Sequence, residues 1–290
     1  MGKVFSVASW NVEHFKKNTA PDKSRVQRVA RFLAGDDGGP SAIPDIFALY
    51  EVEGKDVYQD FMREFPDHRF HMTEGEQTQE IFIGVHRDFQ SFTTQRLEFK
   101  TGRAHQRPGL LLAVRAGEVD YALLFLHIKS GANTEDFGLR DAALIHAFNL
   151  KKALDNSIPD GKANFIFMGD LNTMGIDDPV PYSKKMDLSP EDEITRIASW
   201  AKRRNMVLLS KEKTSIGNSD KEVTWYNGSS GYVPTNLDHV VASEHLQIRS
   251  QGNGPFEISI LGWPKLAQSD WNSWFIKYSD HALLYFEVWN

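Results

Sequence analysis

Phe165-Ile166-Phe167-Met168-Gly169-Asp170-Leu171-Asn172-Thr173 is the stretch on which the reading of this 290-residue chain turns. Four apolar residues of strand-forming type stand between Asn164 and Gly169. The run is too short for a helix and fits a buried strand. Directly after it come an aspartate, an asparagine and a threonine. A rigid apolar strand that ends in polar groups presents them into a cleft. The same residue types also make turns and helix caps, so the segment alone leaves both readings open.

The arrangement recurs on either side. Upstream, Ser9-Trp10-Asn11-Val12-Glu13 closes a first apolar segment, Leu49-Tyr50-Glu51 a second, and Leu126-His127-Ile128-Lys129-Ser130 a third. Downstream, Leu237-Asp238-His239-Val240-Val241 and Ser279-Asp280-His281-Ala282 open the last segments. Periodicity predicts strands over residues 4–10, 45–50, 80–86, 92–99, 110–115, 120–128, 164–168, 206–209, 222–226, 237–243, 256–261 and 282–289. Helices are predicted over 23–33, 55–65 and 135–155. A further helix runs from Ser189-Pro190-Glu191-Asp192 to about residue 204, with a serine cap, a first-turn proline and acids at the positive dipole end. Strands in succession with a few helices, rather than strict alternation, imply an α/β fold of two packed sheets with helices outside. No repeat or linker divides the chain, and one domain over residues 1–290 is expected.

Composition narrows the chemistry. The absence of cysteine leaves only oxygen and imidazole as metal ligands, and fits a cytoplasmic protein. No apolar run approaches the roughly 18 residues of a membrane span, and the N-terminus lacks a signal-peptide pattern. Nothing points to an obligate protein partner. The net charge of −6 runs against a phosphate-binding surface, but a metal-dependent site itself collects carboxylates. Asn11, Glu51, Asp170, Asn172 and Asp280 supply the oxygens that magnesium or manganese takes. His127, His281 and Lys129 supply proton-transfer and anion-stabilising groups. That inventory suits attack of water on a phosphoester.

In order and spacing, these blocks resemble the endonuclease/exonuclease/phosphatase superfamily, across effectively the whole chain. The resemblance implies a four-layer α/β/β/α sandwich, two mixed sheets flanked by helices, with the site at one end of the sheets. It implies Glu51, Asn11 and Asp280 on the metal side, and Asp170 and Asn172 as the pair that positions water and phosphate. Asp238 then partners His281. His127 matches the deoxyribonuclease-like and sphingomyelinase-like branches, where a glutamate at the place of Glu80 orients it. Arg107 resembles an arginine that contacts a phosphate, and Lys129 places a further charge there. The implied protein is a Mg2+- or Mn2+-dependent nuclease acting on nucleic acid, DNA first.

Two other classes stand beside it: a phosphatase or phospholipid phosphodiesterase on the same site, and a non-catalytic module that kept the fold. Pro234-Thr235-Asn236-Leu237-Asp238 departs from the inositol-phosphatase pattern, and the full ligand set argues against a module. Arg103, Arg107 and Arg140 are candidates for a substrate groove, whereas Lys151 and Lys152 fit the solvent face of a helix. The aromatic stretch from Trp263 to Phe275 reads either as a stacking wall or as cover for one end of the core, the second fitting better.

Overall fold

Strand β1 (Lys3–Phe15) has two opposed faces, and the fold is organised around that alternation. On one face Phe5 meets Tyr121 of a second sheet edge-on at 5.0 Å. On the other, Trp10 packs on Phe32 of helix α1 (Ser24–Leu33) at 5.3 Å. A strand buried on both sides needs a second sheet and a helical layer, and the computed structural model shows both. It describes residues 2–15, 24–54, 57–77, 79–177, 187–229 and 231–290.

Strands β2 (Ile46–Val52), β3 (His68–Met72) and β4 (Glu80–His86) join β1 in the first sheet. Its order is Gln247–Arg249, Leu283–Trp289, β1, β2, β4, β3, with Ser259–Leu261 also pairing to the Leu283–Trp289 strand. The second sheet holds β5 (Gln90–Arg96), β6 (Gly109–Ala116), β7 (Val119–His127) and β8 (Phe165–Asp170). Its order is Met206–Leu208, Asp238–Ser243, β8, β7, β6, β5. β1 and β2 run parallel, as do β7 and β8, while the neighbouring pairs are antiparallel, so both sheets are mixed.

Between the sheets lies one apolar body in which Phe5 and Val7 meet Leu112, Leu123, Phe125, Met168 and Val240. Outside the second sheet, Leu124, Phe165, Phe167 and Val241 pack on Ala143, Leu144, Ala147 and Phe148 of α3 (Thr134–Ser157) and on Ile197 and Ala201 of α4 (Pro190–Lys202). Outside the first sheet, Phe47 packs on Phe61 of α2 (Val57–Glu64) at 5.9 Å and on Phe65 at 5.2 Å. The layers therefore run α/β/β/α, as expected.

β4 occupies the predicted residues, and α4 opens with the anticipated Ser189 cap, completed by Asp192 as a reciprocal capping box. Lys23, Lys55 and Asp56, at the starts of two predicted helices, lie outside the described residues. The strand expected over 222–226 is a correction: only Trp225 forms bridges there, to Thr235 and to His281. Backbone bonds from Thr224 to Thr235 and from Tyr226 to Asp280 tie this segment to two different partners, so no continuous ladder forms. β3 and α5 (Trp271–Lys277) were not anticipated. In α5, Trp271 and Trp274 are buried, and with Trp263 they close one end of the core.

Two basic residues of α3 are placed differently from expectation. Arg140 is fully buried, with Nε 2.8 Å from Glu193 Oε1, and takes no part in a groove. Lys151 is also buried and pairs with Asp155 at 2.5 Å, although its neighbour Lys152 is exposed. Positions 140, 144, 147 and 151 share one helical face, and the apolar members carry the charged ones inward.

Candidate active site

Parallel pairing brings the C-terminal ends of β1 and β2 together, and those of β7 and β8, at one edge of the sandwich. The register sets His127 beside Asp170, and Asp170 opposite Asp238. The Leu283–Trp289 strand, antiparallel to β1, delivers Asp280 and His281 to the same edge. At three of these ends the backbone leaves the usual region: Glu13 has φ 43° and His14 φ 44°, Glu51 φ 62° and Asn172 φ 46°. Such conformations cost about 1–3 kcal/mol and persist where the surroundings enforce them.

Asp170 is the hub. Its Oδ2 accepts from Asn11 Nδ2 at 2.9 Å and lies 3.6 Å from His127 Nε2 and 3.8 Å from His281 Nε2. Its Oδ1 accepts the Asn172 backbone N–H at 3.0 Å. Glu51 Oε1 accepts from Asn11 Nδ2 at 3.1 Å and stands 3.5 Å from His127 Nε2. Glu51 Oε2 accepts from Gln79 Nε2 at 2.8 Å and from the His14 backbone N–H at 3.1 Å. On the far side His281 Nδ1 bonds Asp238 Oδ2 at 2.9 Å, which turns Nε2 towards Asp170. Two ligand-like groups thus share one carboxylate: Glu51, His127 and Asp170, and Asp170, Asp238 and His281.

Burial sets the protonation states. His127 is held well below its ordinary pKa by burial, with the charges of Arg107 and His281 acting the same way. It is therefore neutral. Burial also works against the charged form of His281, but Asp238, Asp170 and Asp280 outweigh it and raise that pKa well above the ordinary value. Asp170 is raised by burial and by Asp238 and Glu51, against the opposing pull of His281 and Asn11.

The donor set fits a hard divalent cation. Glu51, Asp170 and Asp280 crowd anionic oxygens at one edge, and Asp280 Oδ1 is buried without a hydrogen-bond partner. Oxygen donors in that density, without thiolate, suit magnesium or manganese. Asn11 enters differently from the expected metal ligand. Its Nδ2 faces the two carboxylates and its Oδ1 accepts the Glu13 N–H at 3.0 Å, so it aligns the carboxylates.

Other anticipated residues divide. Arg107 stands at the site, bonded to Gln79 Oε1 and within the fields of Glu51 and Asp170, with burial lowering its pKa. Asn172 anchors its own loop, donating from Nδ2 to Ile128 O at 3.1 Å. Glu80 does not bond His127: its carboxylate accepts from Thr73 Oγ1 and from Gln77 Nε2, and His127 Nδ1 is left buried and unpartnered. Lys129 turns away to Asp136 Oδ1 at 3.0 Å, because the start of α3 offers it a carboxylate. Arg103 pairs with exposed Glu135.

Several residues escaped the sequence reading. Gln79 links Arg107 to Glu51, and Trp225 Nε1 holds Asp280 Oδ2 at 2.7 Å. Ser279 Oγ donates to Asn11 O at 2.7 Å and accepts the His281 N–H at 3.0 Å, joining the first and last strands beneath the site. The Thr224-Trp225 pair at fixed distance before Leu237-Asp238 was the available signal: Thr224 Oγ1 receives the Asp238 N–H at 3.0 Å.

A model of the endonuclease/exonuclease/phosphatase family matches residues 8–281. Among solved structures, truncated TDP2 of Caenorhabditis elegans is similar with a TM-score of 0.64 at 16% identity, covering 99% of this chain and 98% of that one. TDP2 of D. rerio, solved with a single-strand DNA product, gives 0.64 at 16% identity, covering 99% of each chain. The human nocturnin catalytic domain, solved with a sulfate anion, gives 0.61 at 17% identity, covering 99% of this chain and 93% of that one. At these identities the likeness is one of fold. No curated protein sequence matches the chain significantly.

Proposed function

This chain belongs to the endonuclease/exonuclease/phosphatase family, and we propose that it is a divalent-metal-dependent phosphodiesterase, a nuclease that cleaves DNA by in-line attack of water. The observation that carries the reading is the position of Asp170 Oδ2, shared between the Glu51–His127 side and the Asp238–His281 side. One side suits a cation and the other suits proton transfer.

Glu51 and Asp170 would hold the ion, with His127 and Asp280 beside them. Magnesium or manganese bound there supplies positive charge to a phosphoryl oxygen. The protein's own groups do the rest. Asp238 fixes the His281 ring so that Nε2, not Nδ1, faces the reacting atoms. Between His281 Nε2 and Asp170 Oδ2 a water can be held by both: His281, already protonated, donates to it, and the Asp170 carboxylate takes its proton. Neutral His127 faces two carboxylates with Nε2, so that nitrogen carries the proton and donates to a phosphoryl oxygen. Arg107, kept in place by Gln79, adds charge-assisted donors for the phosphate. The D. rerio TDP2 structure with its single-strand DNA product supports a nucleic-acid substrate on this fold.

The test is cleavage of supercoiled plasmid with magnesium or manganese. Conversion to nicked and linear forms is expected, and should vanish with EDTA and in His281→Ala. A folded, metal-supplied protein that leaves plasmid, single-stranded and abasic DNA intact would remove the nuclease reading.

A further inference from the structure

A closed ring of hydrogen bonds, buried on its Lys211–His239–Thr173 side and partly exposed at Glu222, lies behind the two strand ends that carry Asp170 and Asp238, and the chemistry above uses none of its members. Lys211 Nζ is 3.0 Å from His239 Nδ1 and 3.6 Å from Glu222 Oε2. His239 Nε2 is 2.9 Å from Thr173 Oγ1 and 3.1 Å from Asn236 O. Thr173 Oγ1 donates to Asn236 O at 2.6 Å. Asn236 Nδ2 donates to Glu222 Oε2 at 3.1 Å, and the Lys211 N–H to Glu222 Oε1 at 3.0 Å, which closes the ring. Lys211, Thr173 and His239 are all at most 1% exposed.

With Lys211 protonated, and so only a donor, donor and acceptor rules leave one way to fill it. A carbonyl oxygen only accepts, so the single hydroxyl proton of Thr173 goes to Asn236 O. Thr173 Oγ1 must then accept from His239, and the imidazole proton sits on Nε2. The Nδ1 lone pair is left for the Lys211 amine, the one side-chain donor that reaches it among the described residues. Burial, with Lys211 beside it, keeps this histidine neutral.

The ring's place gives it a consequence. Thr173 follows Asn172, and His239 follows Asp238, which stands opposite Asp170 in register. Alternation along the strand sends Asp238 into the site and His239 to the ring behind it. The loop after β8 and the start of the Asp238–Ser243 strand are therefore tied together by side chains that never face the substrate.

We propose that Lys211 is a positioning residue: it locks His239 as the Nε2–H tautomer, and the lock holds Asn172 and Asp238 at their working separation. The effect on turnover rests on the phosphodiesterase reading above, whereas the tautomer does not. Without the Lys211 amine, the ring proton can move to Nδ1 and Nε2 can accept from Thr173. Asn236 O then loses its donors, and the Asn236-Leu237-Asp238 segment loses its anchor.

The experiment pairs 15N NMR of the His239 ring with steady-state cleavage of a labelled DNA duplex. In the wild type, Nε2 should be protonated and Nδ1 not. Lys211→Met should switch the tautomer and lower kcat by about tenfold or more with little change in KM, since displacements near 1 Å at a catalytic group cost up to about 100-fold. Thr173→Val should lower kcat similarly, Thr173→Ser should recover most of it, and the Lys211→Met/Thr173→Val double variant should lose no more than the larger single loss. A wild-type His239 protonated on Nδ1 overturns the proposal. So does a folded Lys211→Met with unchanged kcat and tautomer. If Lys211→Met fails to fold, the Thr173 variants decide: equal activity of Val and Ser refutes the lock. A wild type without cleavage would sink the nuclease reading, and the ring spectrum would still judge the tautomer.

Discussion

Replacing Arg140 with methionine should destabilise the protein by about 3–5 kcal/mol, the range for a buried ion pair that loses one partner. The guanidinium makes two contacts with Glu193, Nε–Oε1 at 2.8 Å and Nη2–Oε2 at 3.1 Å, and the pair is 0% and 2% exposed. It also donates to Gly131 O at 2.5 Å and to Gly175 O at 2.8 Å. Those carbonyls lie in the loops after β7 and β8, so one side chain clamps both loops next to His127 and Asn172. Methionine fills much of the volume but satisfies none of these acceptors, and Glu193 is left charged or forced to take a proton. Adding Glu193→Leu removes the stranded charge and should recover part of the loss. It cannot recover all of it, because Gly131 O and Gly175 O still lack their donor, and the Gly175 N–H that Glu193 accepted at 2.7 Å now loses its acceptor. Urea unfolding provides the assay: with m near roughly 3 kcal/mol per molar, a loss of about 4 kcal/mol lowers the midpoint by about 1.3 M. A single variant that loses less than about 1 kcal/mol, or a double variant less stable than the single, would refute the argument.

Three further outcomes follow. His281→Ala should lower kcat by about 100- to 10,000-fold, the range for a lost acid–base group, and intact turnover would remove His281 from the site. Gly169→Ala should be poorly tolerated, because φ is 138° and the new Cβ would fall 1.9 Å from Leu126 O, at the β7–β8 junction; a wild-type melting temperature would contradict the geometry. Lys211, pushed down from 10.5 to about 8 by burial against the pull of Glu222 and Asp238, gives a pH signature. Between pH 8 and 10.5 the unfolded chain binds this proton and the folded chain does not, so stability should rise with pH across that window. The rise is at most about 3 kcal/mol, and Lys211→Met should abolish it; a slope unchanged in the variant would contradict the shift.

Much of this architecture was legible in the sequence because each functional residue sits at the end of an apolar run. Phe165–Met168 fits a buried strand, and its polar successors gain their meaning from the same arrangement recurring at five other places in the chain. The same logic placed Asn11, Glu51, His127, Asp238 and His281 together, and they do meet around Asp170. Long side chains were less legible, since their reach exceeds their spacing in the chain. Lys129 swings to Asp136 and Glu80 to Thr73 and Gln77, choices made by nearby partners that no strand pattern reveals. Arg140 and Lys211 are buried charges whose stabilising acceptors come from distant segments, Glu193 and His239 among them. The segment 222–226 has the alternation of a strand, yet it bridges two partners instead of joining a sheet.

The division of labour around Asp170 is tested most directly by measuring Mn2+ binding and DNA cleavage on the same samples of wild type, Glu51→Gln and Asp238→Asn. The account predicts that wild type binds Mn2+ and cleaves, Glu51→Gln loses both, and Asp238→Asn keeps the ion but loses turnover. Cleavage by Glu51→Gln at the wild-type rate, or full activity in excess chelator, would contradict it.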